Sequence, residues 1–490
     1  MYNKILSILF FACLSQFACD AQIDSFITRR QREFEQFKQS REQEFQKFKN
    51  RNDSLFYEYL NKSWEEYEFF YNEKKTEPKP IKQPEISLDE LLNHKGKEIF
   101  PTVKTQKDVI SDLEEKSVNV FNIYDRIFDK KARKPVNILY YSNEDTLFLR
   151  SEKIVVNENL TTDNIKKFYR YAESSEGMDE IISQLNTFRN TYHLNDWAFI
   201  QITQIAAKQS FETSNTQILF VWYILMKSGF KAKTGYSGND IFLLITSFQE
   251  IFNTNTVTID GEQFYDINSI GNKKFGKIFI HDGVFPGTKR ISMKIDDLPI
   301  FKNQKIIHEI NFNGDNFTID LNSALIDFFN DYPHCDLDIY FNTPLSSNAI
   351  NSLDPILKPL LDGKSEKEKV TILLKFIHES FAYQLDEIQF RREKYMFPDE
   401  VLKYPYSDCE DRAVLFAKLV ILYTKLTPLG LNYPGHVSVA INLKTDSNVD
   451  YIQHYDEKYV VCDPTYIKAG IGLLPEFYTG IQPQLIEIFK

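Results

Sequence analysis

The stretch KYPYSDCEDRAVLFAKLVILY (403–423) places Cys409 among Asp408, Glu410 and Asp411, at the head of an otherwise apolar helix. A cysteine kept for packing belongs further in, on the apolar face. Ser407, followed three residues later by Glu410, reads as a capping box. Cys409 then falls in the first helical turn, where backbone N–H groups lack intrahelical partners. Their partial positive charge favours a thiolate. The three acidic neighbours oppose it, so the thiolate needs a cationic partner, which for a cysteine nucleophile is usually histidine.

His436 fits that need. It follows a YPG turn and opens the alternating run GHVSVAINL (435–443). Val437, Val439 and Ile441 face one way there, and His436, Ser438 and Ala440 the other. An imidazole at the start of a strand is expected at a rim, not in the core. The run EKYVVCDPTY (457–466) supplies an acid, Asp463, on the face shared by Tyr459 and Val461. Cys462 points the other way and reads as a core thiol. His378, in an amphipathic helix, and His454, in a hairpin, are the competing bases.

The order Cys, His, Asp on a helix start, a strand and the next strand resembles the transglutaminase-like superfamily of papain-type cysteine enzymes. The matching residues are DCEDRAVLFAKLV (408–420), PGHVSVAI (434–441) and YVVCDPTY (459–466), with FAYQLDEIQFRREKYMFPDEVL (381–402) as the approach. The resemblance covers about 350–470. Ser407 stands where such enzymes usually carry glycine before Asp-Cys, and Val437 where an aromatic often follows the histidine. The resemblance implies Cys409 as nucleophile, His436 as general base and acid, and Asp463 as the residue that orients the imidazole. The Cys409 N–H would serve one side of an oxyanion hole. Gln384 is the candidate for the other, with Tyr383 and Tyr404 as alternatives.

Two reactions share the thioester this implies. In one, water resolves it and the protein is a peptidase or amidase; in the other, an amine does and the protein crosslinks glutamine side chains. A third reading, from a different class, is a non-enzymatic scaffold. A protein or peptide is the expected substrate. No cofactor is expected. No CxxC pair and no D-x-[DN]-x-[DN]-G loop occurs, so neither structural zinc nor calcium activation is supported.

The 490 residues carry a net charge of -11 with both signs mixed throughout, and no basic stripe suggests nucleic acid. MYNK followed by ILSILFFACLSQFA reads as an export signal, 1–21, cleaved after Ala21 or lipidated on Cys19. The expected location is periplasmic or secreted, with membrane attachment only through the signal or a lipid. Of five cysteines, Cys335, Cys409 and Cys462 lie beyond the signal, an odd number that leaves a thiol without an internal partner.

The expected architecture is α+β. Residues 22–75 read as a long helix. Its aromatics step by eleven, at Phe34, Phe45, Phe56 and Tyr67 and at Phe37, Phe48, Tyr59 and Phe70. That stripe would meet a helical partner, a second copy or the protein's own core. A Pro-rich linker follows at 76–100, an α+β domain at 101–275, a β-rich segment at 276–345 and the transglutaminase-like domain at 346–490. The 212–268 segment repeats the order of helix, turn, strand and acid-ended strand. It suggests a degenerate second copy, with Asn215, Asp240 and Asp266 falling near Cys409, His436 and Asp463.

Overall fold

The computed structural model describes residues 64–74, 98–101, 133–150, 162–174, 177–268, 276–281, 287–445, 448–466, 470–478 and 480–489. Nearly all of them belong to one compact unit, 65–280 with 287–490. The expected signal, Cys19, the expected helix as far as residue 63 and most of the expected linker lie outside the described residues.

In chain order the elements begin with β1 (Trp64–Glu68), β2 (Phe70–Asn72) and β3 (Glu98–Pro101). A hairpin follows, β4 (Arg133–Tyr140) with β5 (Asn143–Arg150). Then come α1 (Thr162–Ser174), α2 (Met178–Thr191), α3 (Asp196–Ser210) and α4 (Ser214–Lys227). The first large sheet is completed by β6 (Ala232–Ser237), β7 (Asp240–Ile245), β8 (Thr254–Ile259), β9 (Glu262–Asp266) and β10 (Lys277–His281). A second hairpin, β11 (Lys305–Phe312) with β12 (Asp315–Asn322), precedes α5 (Ser323–Asn330), α6 (Leu337–Asn342), α7 (Ser347–Leu361) and α8 (Glu366–Ser380). Short β13 (Ala382–Tyr383), α9 (Asp386–Gln389), α10 (Pro398–Lys403) and β14 (Tyr406–Ser407) lead to α11 (Cys409–Tyr423). The second large sheet holds β15 (Pro428–Tyr433), β16 (His436–Ile441), β17 (Tyr451–His454), β18 (Glu457–Val461) and β19 (Gln484–Glu487). Helices and largely antiparallel sheets in one chain make this an α+β protein.

The two large sheets share one strand order. The first runs β1-β10-β6-β7-β9-β8-β2 and the second β19-β15-β16-β18-β17-β3. Each has a helix, α4 or α11, packed on its first hairpin. A second hairpin then joins by its later strand, and a returning strand flanks the first hairpin, with β1 added outside it in the first sheet only. The turns correspond as well: Ser237 pairs with Asp240 as Tyr433 pairs with His436. Gly238 and Gly435 hold positive φ in those turns, at 58° and 71°, a conformation that side chains with a Cβ rarely adopt.

The register moves two of the expected equivalences. Ile267 N–H donates to Leu243 as Cys462 N–H donates to Val439, so the residue opposite Asp463 is Asn268, not Asp266. The first helical residue opposite Cys409 is Ser214, not Asn215. Asp240 does match His436.

Three expected elements differ from what forms. Residues 64–72 are strand, not the end of a long helix. Phe69 packs edge-on against Phe242 at 5.3 Å and is buried, while Tyr67 leans on the same cluster. β2 pairs with β8, a partner far along the chain that helical spacing cannot reveal. Residues 98–101, placed in the linker, form β3 and pair in parallel with β17. CDLDIYF (335–341), expected as strand, carries α6; Leu337, Ile339, Tyr340 and Phe341 are all buried, so alternation does not decide it.

Phe69→Ala is expected to destabilise the protein by about 3–5 kcal/mol, the usual cost of deleting a buried ring. Phe70→Ala, at a residue 60% exposed, should cost far less. Chemical denaturation of the two variants checks whether 64–74 is an integral part of the sheet.

Candidate active site

Cys409 opens α11, but a different cap holds that start. The N-cap is Asp408, whose N–H donates to the Asp411 carboxylate at 3.3 Å. Asp411 also accepts the Met396 N–H at 2.9 Å. Ser407 and Glu410, expected as the capping pair, are engaged elsewhere. Ser407 Oγ accepts from Arg412 Nε at 3.2 Å, and Glu410 accepts the Cys409 thiol at 3.1 Å. Adjacent Ser and Asp are both good caps, so the choice between them rests on tertiary partners.

Arg412 answers the acidic crowd. Its guanidinium is fully buried, donates to the Phe381 carbonyl at 2.6 Å and lies over the Tyr383 ring at 5.4 Å. Burial lowers its pKa to about 10, against the opposing pull of Tyr383, Asp408, Asp411 and Cys409, so it stays charged at neutral pH. It sits one turn after Cys409, an i,i+3 neighbour on the same face. That spacing was visible in DCEDR, but the sequence reading did not use it.

Asp386, Asp408 and Glu410 bring carboxylate oxygens within 4.8 Å of one another, all buried. A divalent cation accepts such a set of oxygens. The same neighbourhood already holds Arg412 and the buried Lys394–Glu400 pair at 2.6 Å.

His436 and Asp463 meet at 2.6 Å through Nε2 and Oδ2, both side chains fully buried. Asp463 also accepts the Thr465 N–H at 2.8 Å. Burial would push its carboxyl up. The His436 imidazole, with these hydrogen bonds, instead holds it below the usual carboxylate range. His436 Nδ1 is buried with no hydrogen-bond partner.

The imidazole is not at a rim. It is 1% exposed because the chain after Asp463 folds back over the strand start. Tyr478 stacks on it at 4.9 Å and Tyr466 meets it edge-on at 5.2 Å. Both tyrosines are raised by burial, and the charges of Asp463 and Cys409 add to that rise. The rings that cover the imidazole thus also feel the charge of Cys409. In the first module a first-turn side chain spans the matching gap: Asn215 bonds to Asn239 and Ile241, on either side of Asp240.

The remaining candidates sort by position. Gln384 is half-buried, and its N–H donates to the Ser407 carbonyl at 3.3 Å, because β13 runs parallel to β14 on the approach to Cys409. Tyr404 donates to Asn330 at 3.1 Å and packs on Phe390, so it is tied down elsewhere. Cys462 is buried, with its thiol raised by burial and by Asp463. His454 is at the far end of β17, 3.3 Å from Glu487. His378 is held by burial, helped by Arg412, at about 4, against the opposing pull of Asp463 and Pro464. No family model, curated protein or solved structure matches this chain.

His378 generates a pH prediction. Its ordinary value is 6.5 and its folded value about 4. The unfolded chain therefore takes up this proton first on acidification. The contribution to stability is full above pH 6.5 and disappears as pH falls towards 4. His378→Leu should flatten the pH dependence of the urea midpoint in that window, measured against the parent protein. Arg412→Met should cost about 3–5 kcal/mol in the same assay near pH 7, because it leaves buried carboxylates uncompensated.

Proposed function

We propose that the protein is an exported thiol enzyme of the transglutaminase-like type, acting on amide bonds through a Cys409 thioester, with hydrolysis favoured over crosslinking. The observation that carries this reading is the His436 imidazole. Asp463 holds Nε2, which leaves the buried Nδ1 as the nitrogen able to take a proton.

In the proposed cycle the Cys409 thiol gives its proton to Nδ1 and its sulfur attacks the substrate carbonyl carbon. The Asp463 carboxylate stabilises the imidazolium that forms. The Cys409 N–H, in the first turn of α11, faces the developing oxyanion, with the Gln384 amide as the proposed second donor. The imidazolium returns its proton to the leaving amine as the C–N bond breaks. Water then resolves the thioester, and Nδ1 takes the proton that water loses. An amine in place of water would give transfer. Arg412 supplies the positive charge that lets a thiolate form among three acids.

The shared strand order supports reading α4 through β10 as a silent copy of the same module. Ser214, Asp240 and Asn268 stand there in the places of Cys409, His436 and Asp463. Export rests on the amino-terminal sequence. Among the described residues no helix is long and apolar enough to cross a membrane.

Cys409→Ala should abolish amide cleavage and leave the unfolding midpoint nearly unchanged. His436→Ala should lower kcat/KM by about 10²–10⁴-fold, the usual weight of a general base. Asp463→Ala should lose less, since it orients the imidazole without transferring the proton. Incubation with a proteome, mapping new termini against new crosslinks, supplies the substrate and separates hydrolysis from transfer. Activity that survives Cys409→Ala sinks the reading.

A further inference from the structure

A half-open pocket lies away from Cys409. It has a volume of about 990 Å³ and is walled by α6, the later half of α11, the β15–β19 edge and the 248–252 and 294–296 segments. Lys418 is on its wall. That residue is 7% exposed, and among the described residues no carboxylate or hydrogen-bond acceptor meets its amine. A buried ammonium without a partner is costly and persists where something else compensates it. Leu345, Ile350, Ile421 and Ile486 line the same cavity.

The α6 side has the opposite charge. Asp338 Oδ1 is buried with no hydrogen-bond partner. Glu250, Asp296 and Asp336 line the cavity beside it, against Lys74 and Lys294. Lys74 lies over the Tyr395 ring at 3.6 Å. The charges that act on Asp338 are those of Asp336 and Lys294, and no charge acts on Lys418. No ion pair joins the Lys418 amine to the Asp338 carboxylate.

We propose that this cavity binds a short peptide with both termini free, its carboxylate on Lys418, its ammonium on Asp338 and an apolar side chain between them. The pocket offers an unpaired amine and an unpaired carboxylate oxygen to the two ends of a zwitterion, and the volume suits a ligand of a few residues. Burial brings the Lys418 amine down to about 8 and the Asp338 carboxyl up to about 6, so both are charged at pH 7. A fatty-acid-like anion would use Lys418 and the apolar wall but leave Asp338 unmet. The inference does not rest on the catalytic reading, because Cys409 is not part of this wall.

The test is calorimetric titration of the full chain carrying Cys409→Ala, so that no peptide is turned over. The probe is the tripeptide Leu-Ala-Leu at pH 7. The free tripeptide should bind. Its C-terminal amide and its N-acetyl form should each bind at least about tenfold more weakly, the scale of a lost buried charge contact. Lys418→Met should weaken the free peptide by a similar factor and become insensitive to the C-terminal amide. Asp338→Asn should do the same for N-acetylation. Lys418→Met removes an uncompensated charge, so its unfolding midpoint should equal or exceed the parent's, which keeps the comparison fair. Three results would overturn the proposal: no binding of the free tripeptide at millimolar concentration, equal binding of free and capped forms, or dodecanoate binding where the peptide does not.

Discussion

The arrangement around Cys409 depends on one buried cation. Arg412 reaches from α11 to the Phe381 carbonyl at the end of α8 and to Ser407 at the end of β14. It thereby ties together the chain segments that converge on Cys409. Taking a guanidinium and several carboxylates out of water is expensive, and geometry of this quality must repay it. The network continues outward. Asp411 accepts from Met396, Lys394 pairs with Glu400, and Asp399 accepts the Ser346 N–H at 3.0 Å, at the start of α7. Burial pushes the Asp399 carboxyl up to about 6, so the outer end of this network is less firmly ionised than its centre. Simpler apolar packing could hold α10 against α11. A charged network holds it in one register only.

The second constraint is closure. Cys409, His436 and Asp463 are each at most 1% exposed. The imidazole lies against Tyr466 and Tyr478. The thiol donates to Glu410, and the Nδ1 of His436 is buried away from water. In the proposed cycle, proton transfer to Nδ1 requires the thiol to turn away from Glu410, and an amide reaches the site only past Tyr466 and Tyr478.

The three residues of the site were legible because each has a local cause: a helix start, a turn before a strand, and the end of a strand before proline. What was not legible depends on contacts distant in sequence. The eleven-residue spacing through Tyr67 and Phe70 says nothing of β8, the strand that β2 pairs with. The equivalence of Asp463 with Asn268 is set by cross-strand register, and a shift of two residues keeps the same face and so leaves the pattern unchanged. Burial of His436 follows from Tyr466 and Tyr478 folding back, which no strand periodicity encodes. Arg412 was in plain view three residues after Cys409. Its role becomes clear only when Ser407, Phe381 and the buried acids are seen around it.

The chain also contains its own comparison. One strand order is built twice, and the two versions treat the key positions in opposite ways. Asp240 and Asn268 are exposed, whereas His436 and Asp463 are buried and bonded to each other. The first module forms its hairpins and packs α4 with no buried charge pair at these positions. The architecture therefore does not require an imidazole or a carboxylate there. Burying such a pair costs desolvation energy that the fold alone does not repay. The strand order that the two sheets share therefore leaves the buried His436–Asp463 pair of the second without a folding reason.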